Sequence, residues 1–346
     1  MRAPAGLQLD YVSLAEYQAA RWGDVLGIAS FNGTSGGAPG GAAEIPVVQV
    51  STPVLPAAAE VCEVWRCAAP AESGRHDRVR FRRTADMLFG CIAVTESAAG
   101  PGSNRHSPLH EATTQMYREI CSTVDAQGYP HLLRVWNYVP DINRDSHGTE
   151  RYRQFNTARQ HALLESGRPL TGKVPAASAL GAARESPVVA YFLAGRTAPT
   201  FVENPRQVSA YHYPRRYGTH TPVFSRATLL RQEGSLRLFI SGTASIVGHR
   251  SLHVGDTAAQ TRETLTNIEA LLGEANRVEP GARFALGDLA CKVYVRRPVD
   301  LPVIQAELTS ALGASARVVY LQADICRQDL LVEIEATAMC PVRANA

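Results

Sequence analysis

The order of predicted elements, which occurs twice along the chain, constrains the fold more than any other feature of this sequence. In each half, hydrophobic periodicity predicts strands, a helix, a strand, a second helix and two further strands. The helices are predicted near residues 107–126 and 149–166, and again near 257–273 and 300–312. Each half is therefore predicted to be a mixed β-sheet with two packed helices, which places the chain in the α+β class.

An internal duplication is the simplest explanation of this order. It divides the 346 residues into an N-terminal half, 1–200, and a C-terminal half, 201–346. Residues 1 to about 45 are hard to place. They contain a short predicted helix near Leu14–Ala20 and a glycine-rich run, Gly33–Gly41. That run lacks the Gly-Lys-Ser/Thr ending of a phosphate-binding loop, so we interpret it as a flexible loop.

The two halves differ where chemistry is expected. When the strand near Val188–Ala194 is laid on the last strand of the chain, Ala190 takes the position of Glu333. Ala177 takes the position of Arg317 in the same comparison. The first half thus has the apolar side chains of these strands but lacks counterparts of Glu333 and Arg317. This difference predicts one active site per chain, in the second half and walled by the first.

The composition argues against several classes of protein. The chain is 45% hydrophobic and 19% charged, as in ordinary globular proteins, and has no run of eighteen apolar residues that would cross a membrane. The net charge of +3 is spread out with no lysine-rich tract, which argues against nucleic acid as a partner. Almost all the cationic charge is arginine, whose planar fork suits the carboxylates of a small dianionic substrate.

The seven cysteines are odd in number, widely spaced and free of CxxC pairs, which predicts reduced thiols in a cytoplasmic protein. The N-terminus lacks the apolar core of a signal peptide. No zinc site is predicted, because Cys62 and Cys67 have no paired Cys or His nearby and the His249 and His253 pair lacks a third ligand. We therefore expect no metal and no cofactor.

The last strand, Leu330–Ala336, carries two carboxylates where a core strand is expected. Alternation puts Glu333 and Glu335 on one face and apolar side chains on the other. A half-buried strand with its polar face in water is the simpler interpretation. However, Cys326 lies seven residues before Glu333 across a predicted turn, so the thiol and the carboxyl group are expected to converge. This arrangement makes Glu333 the candidate proton donor, with Glu335 in reserve.

The second half resembles the Rid/YjgF family over roughly residues 220–340. The resemblance rests on these segments: Leu238–Thr243, Gly255–Asp256, Gln260–Thr261, Leu265–Ile268, Ala316–Arg317 and Val332–Ala336. It implies that the chain consists of two Rid/YjgF-like halves. It also implies, from the family pattern, a cleft for small carboxylates that is lined by Arg317 and Glu333.

A more specific resemblance, to the chorismatases, covers most of the chain. It rests on these segments in family order: Arg134–Tyr138, Glu150–Asn156, Pro175–Ala177, Asn204–Tyr211, Phe224–Ala227 and Ser241–Ser245. Chorismatases have Rid-like architecture, act in the biosynthesis of polyketide starter units and aromatic pigments, and remove the enolpyruvyl group of chorismate as pyruvate. The resemblance implies a cofactor-free enzyme of this kind with chorismate as its small-molecule substrate.

The chorismatase resemblance also implies roles for single residues. The Glu333 position protonates the enolpyruvyl methylene, and a cysteine at the Cys326 position accompanies 3-hydroxybenzoate formation, with 4-hydroxybenzoate as a second product in a mixed subgroup. The candidate substrate-binding residues come from one face of the second helix, the segment between the halves, the Ser241–Thr243 turn and the Rid-like cleft. They are Tyr152, Arg159, Tyr211, Arg226, Gly242 and Arg317.

The sequence leaves three other functions open. Hydrolysis would give 3,4-dihydroxycyclohexa-1,5-diene carboxylate and pyruvate instead of an aromatic acid. A Rid-type imine deaminase would use the same arginine and glutamate on imino acids, and a non-catalytic ligand-binding protein would catalyse neither reaction. The oligomeric state is expected to be a monomer or a weak homo-oligomer.

Overall fold

The computed structural model describes residues 6–13, 16, 23–31, 44–56, 60–97, 106–232 and 234–342. Two predicted segments lie outside the described residues: the glycine-rich loop Gly33–Gly41, and the helix near Leu14–Ala20 apart from Glu16.

The described elements follow the predicted order. In chain order the strands are β1 Leu7–Ser13, β2 Val25–Phe31, β3 Val47–Val50, β4 Val54–Leu55, β5 Val61–Cys67, β6 Glu72–His76, β7 Val79–Arg83, β8 Met87–Val94, β9 His131–Pro140, β10 Asp145–Ser146, β11 Thr149–Glu150, β12 Ala176–Ala182, β13 Val188–Gly195, β14 Thr200–Val202, β15 Ala227–Gln232, β16 Ser235–Ala244, β17 Ile246–Val247, β18 Arg250–Ser251, β19 Ala290–Val295, β20 Arg317–Gln322 and β21 Val332–Pro341. The helices are α1 Pro108–Gln127, α2 Arg151–Glu165, α3 Thr257–Val278 and α4 Leu301–Leu312. The predicted α+β class is confirmed.

Three sheets share one strand order. In each sheet, four neighbouring strands can be numbered by their order in the sequence. Across the sheet they then lie in the order first, fourth, second, third: β8-β13-β9-β12, β16-β21-β19-β20 and β1-β5-β2-β3. The second and third strands of each set are parallel, and the other neighbours are antiparallel. The third set, built from the N-terminal residues, was not predicted from the sequence.

Short strands extend the sheets at their edges. Strands β7 and β6 extend the sheet of β8, whereas β15 and β14 extend the sheet of β16. Strand β4 pairs with β20 at the far edge of this second sheet. Both β4 and β14 begin within the predicted N-terminal half and lie in the C-terminal sheet, so chain segments cross between the sheets. A division of the chain near residue 200 stays a prediction.

The helices cover the outer faces of two sheets because they carry apolar stripes. Helix α1 begins at Ser107, whose side chain accepts a hydrogen bond from the His110 N–H, and ends at Gly128 with a φ of 76°. Helix α3 begins at Asp256, whose side chain accepts from the Ala259 N–H. The buried face of α1 includes five residues at helical spacing: Leu109, Thr113, Met116, Ile120 and Val124.

The inner faces of the three sheets enclose an aromatic and polar core with two matching layers. The first layer consists of three facing pairs on second and fourth strands: Phe31 with Val61, Tyr138 with Val189, and Tyr294 with Glu333. The second layer, two residues along, consists of three further pairs: Ala29 with Glu63, Trp136 with Tyr191, and Lys292 with Glu335. The three sheets therefore contribute equivalent positions to one shared core.

This register corrects the predicted comparison of the halves by one residue. Val189 faces the inner core and matches Glu333, whereas Ala190 packs in the outer cluster with the helices. By the same register Ala176, which pairs with Arg134, matches Arg317, which pairs with Ala290. The error arises because a shift of one residue along a strand moves every side chain to the other face.

Lys292 is buried where the three sheets meet. Its Nζ donates to Glu63 on β5, donates to the Tyr191 hydroxyl on β13 at 2.7 Å, and lies 2.8 Å from Glu335 Oε1 on β21. Burial alone would lower the pKa of this ammonium group, but the carboxylates of Glu335 and Glu63 outweigh it and raise the pKa. The Lys292 side chain thus contacts one strand of each of the three sheets.

We expect Lys292→Met to lower the free energy of unfolding by about 3–5 kcal/mol, because the change leaves two carboxylates buried without their ammonium partner. Urea unfolding measures the loss. The matched control is Arg231→Met, which breaks an ion pair of a half-exposed arginine with Glu279 and should cost at most about 1 kcal/mol. Equal losses in the two variants would contradict a central role for Lys292.

Candidate active site

Glu333 lies on the inner face of β21 and is only 4% exposed. Its Oε1 approaches β16 so closely that a Cβ atom at Gly242 would lie 1.8 Å from it, so a larger residue there would displace the Glu333 carboxyl group. Cys326 Sγ donates to Glu333 Oε2 at 4.0 Å. The structure therefore brings together the thiol and the carboxyl group that the sequence spacing predicted.

The predicted Ser241–Thr243 turn is instead part of strand β16. The register of β16 against β21 shifts between Ile240 and Thr243, which is the signature of a β-bulge. The bulge places Gly242 against the Glu333 carboxyl group. The turn prediction is wrong because glycine marks bulges inside strands as well as turns between them.

Glu335, the reserve candidate, is fully occupied by hydrogen-bond donors. Its oxygens accept from Arg134 Nη2, Trp136 Nε1 and Ser178 Oγ, each at 2.7 Å, and lie against the Lys292 ammonium group. Burial alone would raise the pKa of Glu335, but the Lys292 and Arg134 charges hold it below its usual range. Glu335 is thus a fixed anion of the core, with no free position for a substrate.

The two neighbouring acids are therefore in opposite states. Burial, followed by the negative charge of Glu335, raises the pKa of Glu333 to about 8. Burial, followed by the charge of Glu333, raises the pKa of the Cys326 thiol to about 12. At neutral pH Glu333 holds a proton that it can donate, and Cys326 remains a neutral thiol.

Glu333 lines an open cavity with about 1030 Å³ of empty space, including the part at its mouth that is open to solvent. Its walls come from α2, β16, the 324–330 loop and the segment before β15: Glu150, Tyr152, Arg153, Tyr213, Tyr217, Pro222, Phe224, Arg226, Gly242, Ala244, Ile246, Cys326, Arg327, Gln328, Asp329 and Glu333. A narrower extension of about 350 Å³ continues between α2 and β12. It adds Asn156, Arg159, Ala177, Ser178 and Ala179 to the lining.

Two predicted binding residues on α2 reach this site. Arg159 is 3% exposed and lies in the narrow extension, where its Nε and Nη2 have no acceptor among the described residues. Its guanidinium group stacks on the Tyr117 ring, 5.0 Å from the ring centre. Tyr152 lines both spaces, and burial raises the pKa of its hydroxyl well above the usual value, so it remains a donor.

Arg226 reaches the wider cavity from the segment before β15. Its Nη2 donates to the Val208 carbonyl and to the Tyr213 hydroxyl, both at 2.8 Å. Its Nε is buried and has no acceptor within the described chain. Arg226 therefore keeps one donor for a ligand while its other contacts hold it in place.

Tyr211 and Arg317, which were also predicted to bind substrate, line neither space. Tyr211 packs against the core cluster beneath the helices of the first half. Arg317 is exposed at the start of β20 and donates to the Leu9 carbonyl at 3.4 Å. Of the eight predicted site residues, the structure brings six to the cavity.

Among the lining residues that sequence reasoning missed are Arg327, Tyr213 and Tyr217. Arg327 follows Cys326 directly, and that adjacency was the available signal. The two tyrosines belong to an irregular segment with two short 3₁₀ turns, Ala210–His212 and Arg215–Tyr217. Such a segment has no period from which the direction of a side chain can be predicted.

Within the described residues, no group of three or more His, Cys, Asp or Glu side chains could hold a metal ion. His249 instead contacts Arg216 and Tyr217, and His253 lies 3.3 Å from a Glu263 oxygen. Among the described helices, none is long and apolar enough to cross a membrane.

A carboxyl group that holds its proton, beside arginines with free donors, can bind a small anion and donate a proton to it. Comparison with known proteins gives the family. Residues 63–194 match the family described as "Chorismatase FkbO/Hyg5-like, N-terminal". A chorismatase of Streptomyces rapamycinicus is 42% identical over 284 residues, which cover 79% of this chain and 80% of that protein. The chain belongs to the chorismatase family.

Further matches agree with this assignment. A 3-hydroxybenzoate synthase of Streptomyces hygroscopicus is 38% identical over 83% of this chain and 84% of its own length. A chorismatase crystal structure at 1.08 Å resolution is 34% identical and superposes with a TM-score of 0.86 over 96% of this chain and 98% of that chain.

The raised pKa of Glu333 predicts a pH-dependent difference in stability. In the folded protein Glu333 keeps its proton up to about pH 8, whereas its ordinary pKa is 4.5. Between these values the unfolded state binds fewer protons, so this group lowers the stability of the folded state as the pH rises. We expect Glu333→Gln, measured by urea unfolding, to gain stability relative to the unchanged protein from pH 5 to pH 8. A pH-independent difference would contradict the assigned protonation.

Proposed function

We propose that the chain converts chorismate to 3-hydroxybenzoate and pyruvate, with Glu333 as general acid. The observation that carries this proposal is a buried carboxyl group with a pKa raised to about 8 and a neutral thiol as its neighbour. The relatives named chorismatase and 3-hydroxybenzoate synthase support the choice of substrate and product.

The first step needs a protonated acid next to the enol ether. Glu333 transfers its proton to the terminal methylene carbon, and the double-bond electrons form the new C–H bond. The product is an oxocarbenium ion at the carbon that bears the enolpyruvyl carboxylate. The Glu333 carboxylate that remains lies in a desolvated site, where it stabilises this cation more strongly than it would in water.

The second step is an internal displacement. The oxygen of the ring 4-hydroxyl attacks ring C3 and passes its proton to Glu333. The bond from C3 to the ether oxygen breaks, and its electrons leave with that oxygen as pyruvate. The resulting epoxide opens at its C4–O bond, and loss of one ring proton restores aromaticity. The overall reaction converts chorismate to 3-hydroxybenzoate and pyruvate and consumes neither water nor an oxidant.

Cys326 is proposed to favour this internal route. Its sulfur lies beside the Glu333 carboxyl group, where it fills space that a hydrogen-bonded water would otherwise occupy. Because its pKa is raised to about 12, the thiol keeps a proton that it can relay when the epoxide opens. A side chain of this kind excludes the competing nucleophile without adding a charge.

The substrate carboxylates are assigned by the size of the two spaces. The narrow extension suits the three-carbon enolpyruvyl unit, whose carboxylate would accept from Arg159 and Tyr152. The wider cavity suits the ring, whose carboxylate would accept from the free Nε of Arg226. Gly242 supplies the close approach of β16 that keeps Glu333 between them.

Hydrolysis of chorismate to the dihydroxy acid is the second candidate. It is favoured by one observation: the wider cavity opens to solvent, so water can reach the oxocarbenium ion. The geometry does not favour imine deamination by an arginine and glutamate pair, because Arg317 does not line the cavity of Glu333. We also propose a cytoplasmic location, since all seven cysteines are unpaired.

We expect Glu333→Gln to lower turnover of chorismate at least about a hundredfold, because the amide has no proton to donate. Chorismate should still bind, since the arginine donors remain. Pyruvate release and equilibrium titration measure the two properties. The control Glu279→Gln changes a carboxylate outside the cavity and should leave both unchanged. Near-normal turnover of Glu333→Gln would remove Glu333 from the role of acid.

We expect Cys326→Ala to raise the share of the non-aromatic dihydroxy acid, because the change admits water and removes the thiol proton. A tenfold change in product ratio needs a barrier difference of only about 1.4 kcal/mol. Chromatography after turnover in water enriched in heavy oxygen measures both routes, with pyruvate reduced at once to lactate so that its oxygen cannot exchange. Hydrolysis labels the lactate hydroxyl, whereas internal displacement leaves it unlabelled.

The matched control for this experiment is Cys340→Ala, which changes a buried cysteine at the other end of β21. It should leave the product ratio unchanged. The proposed role of Cys326 is wrong if the unchanged protein gives only the dihydroxy acid. It is also wrong if Cys326→Ala gives the same product ratio as the unchanged protein.

A further inference from the structure

Arg327 lines the cavity of Glu333 and carries a donor without an acceptor among the described residues. Its Nη1 donates to the His249 carbonyl at 3.0 Å and to Ser251 Oγ at 3.2 Å. Its Nη2 is buried and has no acceptor in the part of the chain that the structure describes. A buried guanidinium nitrogen without an acceptor is costly, which indicates that a ligand completes its hydrogen bonding.

Two aromatic rings hold this guanidinium group in place. Its central carbon lies 4.2 Å from the ring centre of Tyr217 and 5.1 Å from that of Tyr213. The guanidinium carbon of Arg226 lies 5.6 Å from the same Tyr213 ring. Two arginines that each carry a donor without an acceptor among the described residues, Arg327 and Arg226, therefore line one cavity around Tyr213.

The backbone that carries Arg327 is fixed by a second arginine. Arg296 donates to the carbonyl groups of Leu330, Ile325 and Arg327 at 2.7, 3.0 and 2.9 Å. It also donates to Asp324 Oδ1 at 2.6 Å. These contacts bind both ends of the 324–330 loop, so Arg327 is held in position before a ligand arrives and less ordering is needed on binding.

We propose that Arg327, acting with Arg226, binds the ring carboxylate of the substrate, while Arg159 binds the enolpyruvyl carboxylate. This inference rests on the proposed function and extends it by adding an anchor that holds one end of a dianion. The division follows from the two spaces. Arg327 and Arg226 line the wider cavity but not the narrow extension, and Arg159 lines the extension but not the wider cavity.

Each of the two products tests one of the two carboxylate-binding sites, because each product retains one of the substrate carboxylates. Aromatic 3-hydroxybenzoate carries the ring carboxylate, and pyruvate carries the other. We expect Arg327→Met to weaken competitive inhibition by 3-hydroxybenzoate at least about tenfold and to leave inhibition by pyruvate unchanged. Arg159→Met should do the reverse. Arg327→Lys, which keeps the charge but not the fork, should fall between Arg327→Met and the unchanged protein.

A neutral analogue tests whether charge is the cause. The unchanged protein should prefer 3-hydroxybenzoate to 3-hydroxybenzamide, and Arg327→Met should lose most of that preference. If Arg327→Met lost only packing, the binding of both compounds would weaken by the same factor, and that result would overturn the proposal. The matched control is Arg216→Met: Arg216 lies 5.0 Å from the same Tyr217 ring but does not line the cavity, so both constants should stay unchanged.

Failure of this inference is distinguishable from failure of the proposed function. Equilibrium binding of 3-hydroxybenzoate and its amide, measured by calorimetry, reports on Arg327 without turnover. Suppose that chorismate releases no pyruvate and that Arg327→Met still loses its preference for the carboxylate. The assignment of Arg327 as a carboxylate-binding residue is then supported, and the proposed reaction is wrong. If turnover is normal and the variant keeps its preference, or if Arg327→Met weakens pyruvate instead, the assignment of Arg327 is wrong.

Discussion

The buried ammonium group of Lys292 is the interaction on which the rest of the structure depends. It contacts Glu63, Tyr191 and Glu335, one from each of the three matching sheets. Taking such charges out of water costs several kcal/mol for each ion, and only a complete set of partners offsets the cost. Lys292 and Arg134 balance Glu63 and Glu335, so removing any one sheet would leave the buried charges of the others out of balance. The polar core therefore makes the mutual placement of the three sheets specific, which an apolar core of the same size would not.

The same core keeps Glu333 protonated. Glu335 is held as an anion by Lys292 and Arg134, and Glu333 lies two residues before it on the same face of β21. A second ionised carboxylate at that distance from the first would be repelled, and burial adds to the penalty. Glu333 therefore keeps its proton to about pH 8. Stability and acidity are linked here, because the ion pairs that hold the sheets together also fix the charge that keeps Glu333 protonated.

Local patterns in the sequence were enough to find this acid and its thiol neighbour. Two-residue alternation places Glu333 inward, and a seven-residue separation across a turn brings Cys326 to it. The N-terminal sheet could not be predicted, because β1, β2, β3 and β5 pair only with strands distant in sequence, and local patterns do not record such contacts. Arg317 was misplaced for a related reason: its distance from Glu333 depends on the register of β19 against β20 and β21, which no local pattern encodes.

Threefold repetition of the sheet also explains why the acid has no counterpart elsewhere in the inner core. The position of Glu333, opposite Tyr294, is occupied by Val189 opposite Tyr138 and by Val61 opposite Phe31. The aromatic partner is thus kept in all three sheets, whereas the carboxyl group is present in one. A second or third carboxyl group in this layer would have to be buried without the Lys292 and Arg134 charges that balance Glu63 and Glu335. The charge balance of the core therefore permits one extra acid only if that acid stays neutral, and neutrality at working pH is the property that general acid catalysis requires.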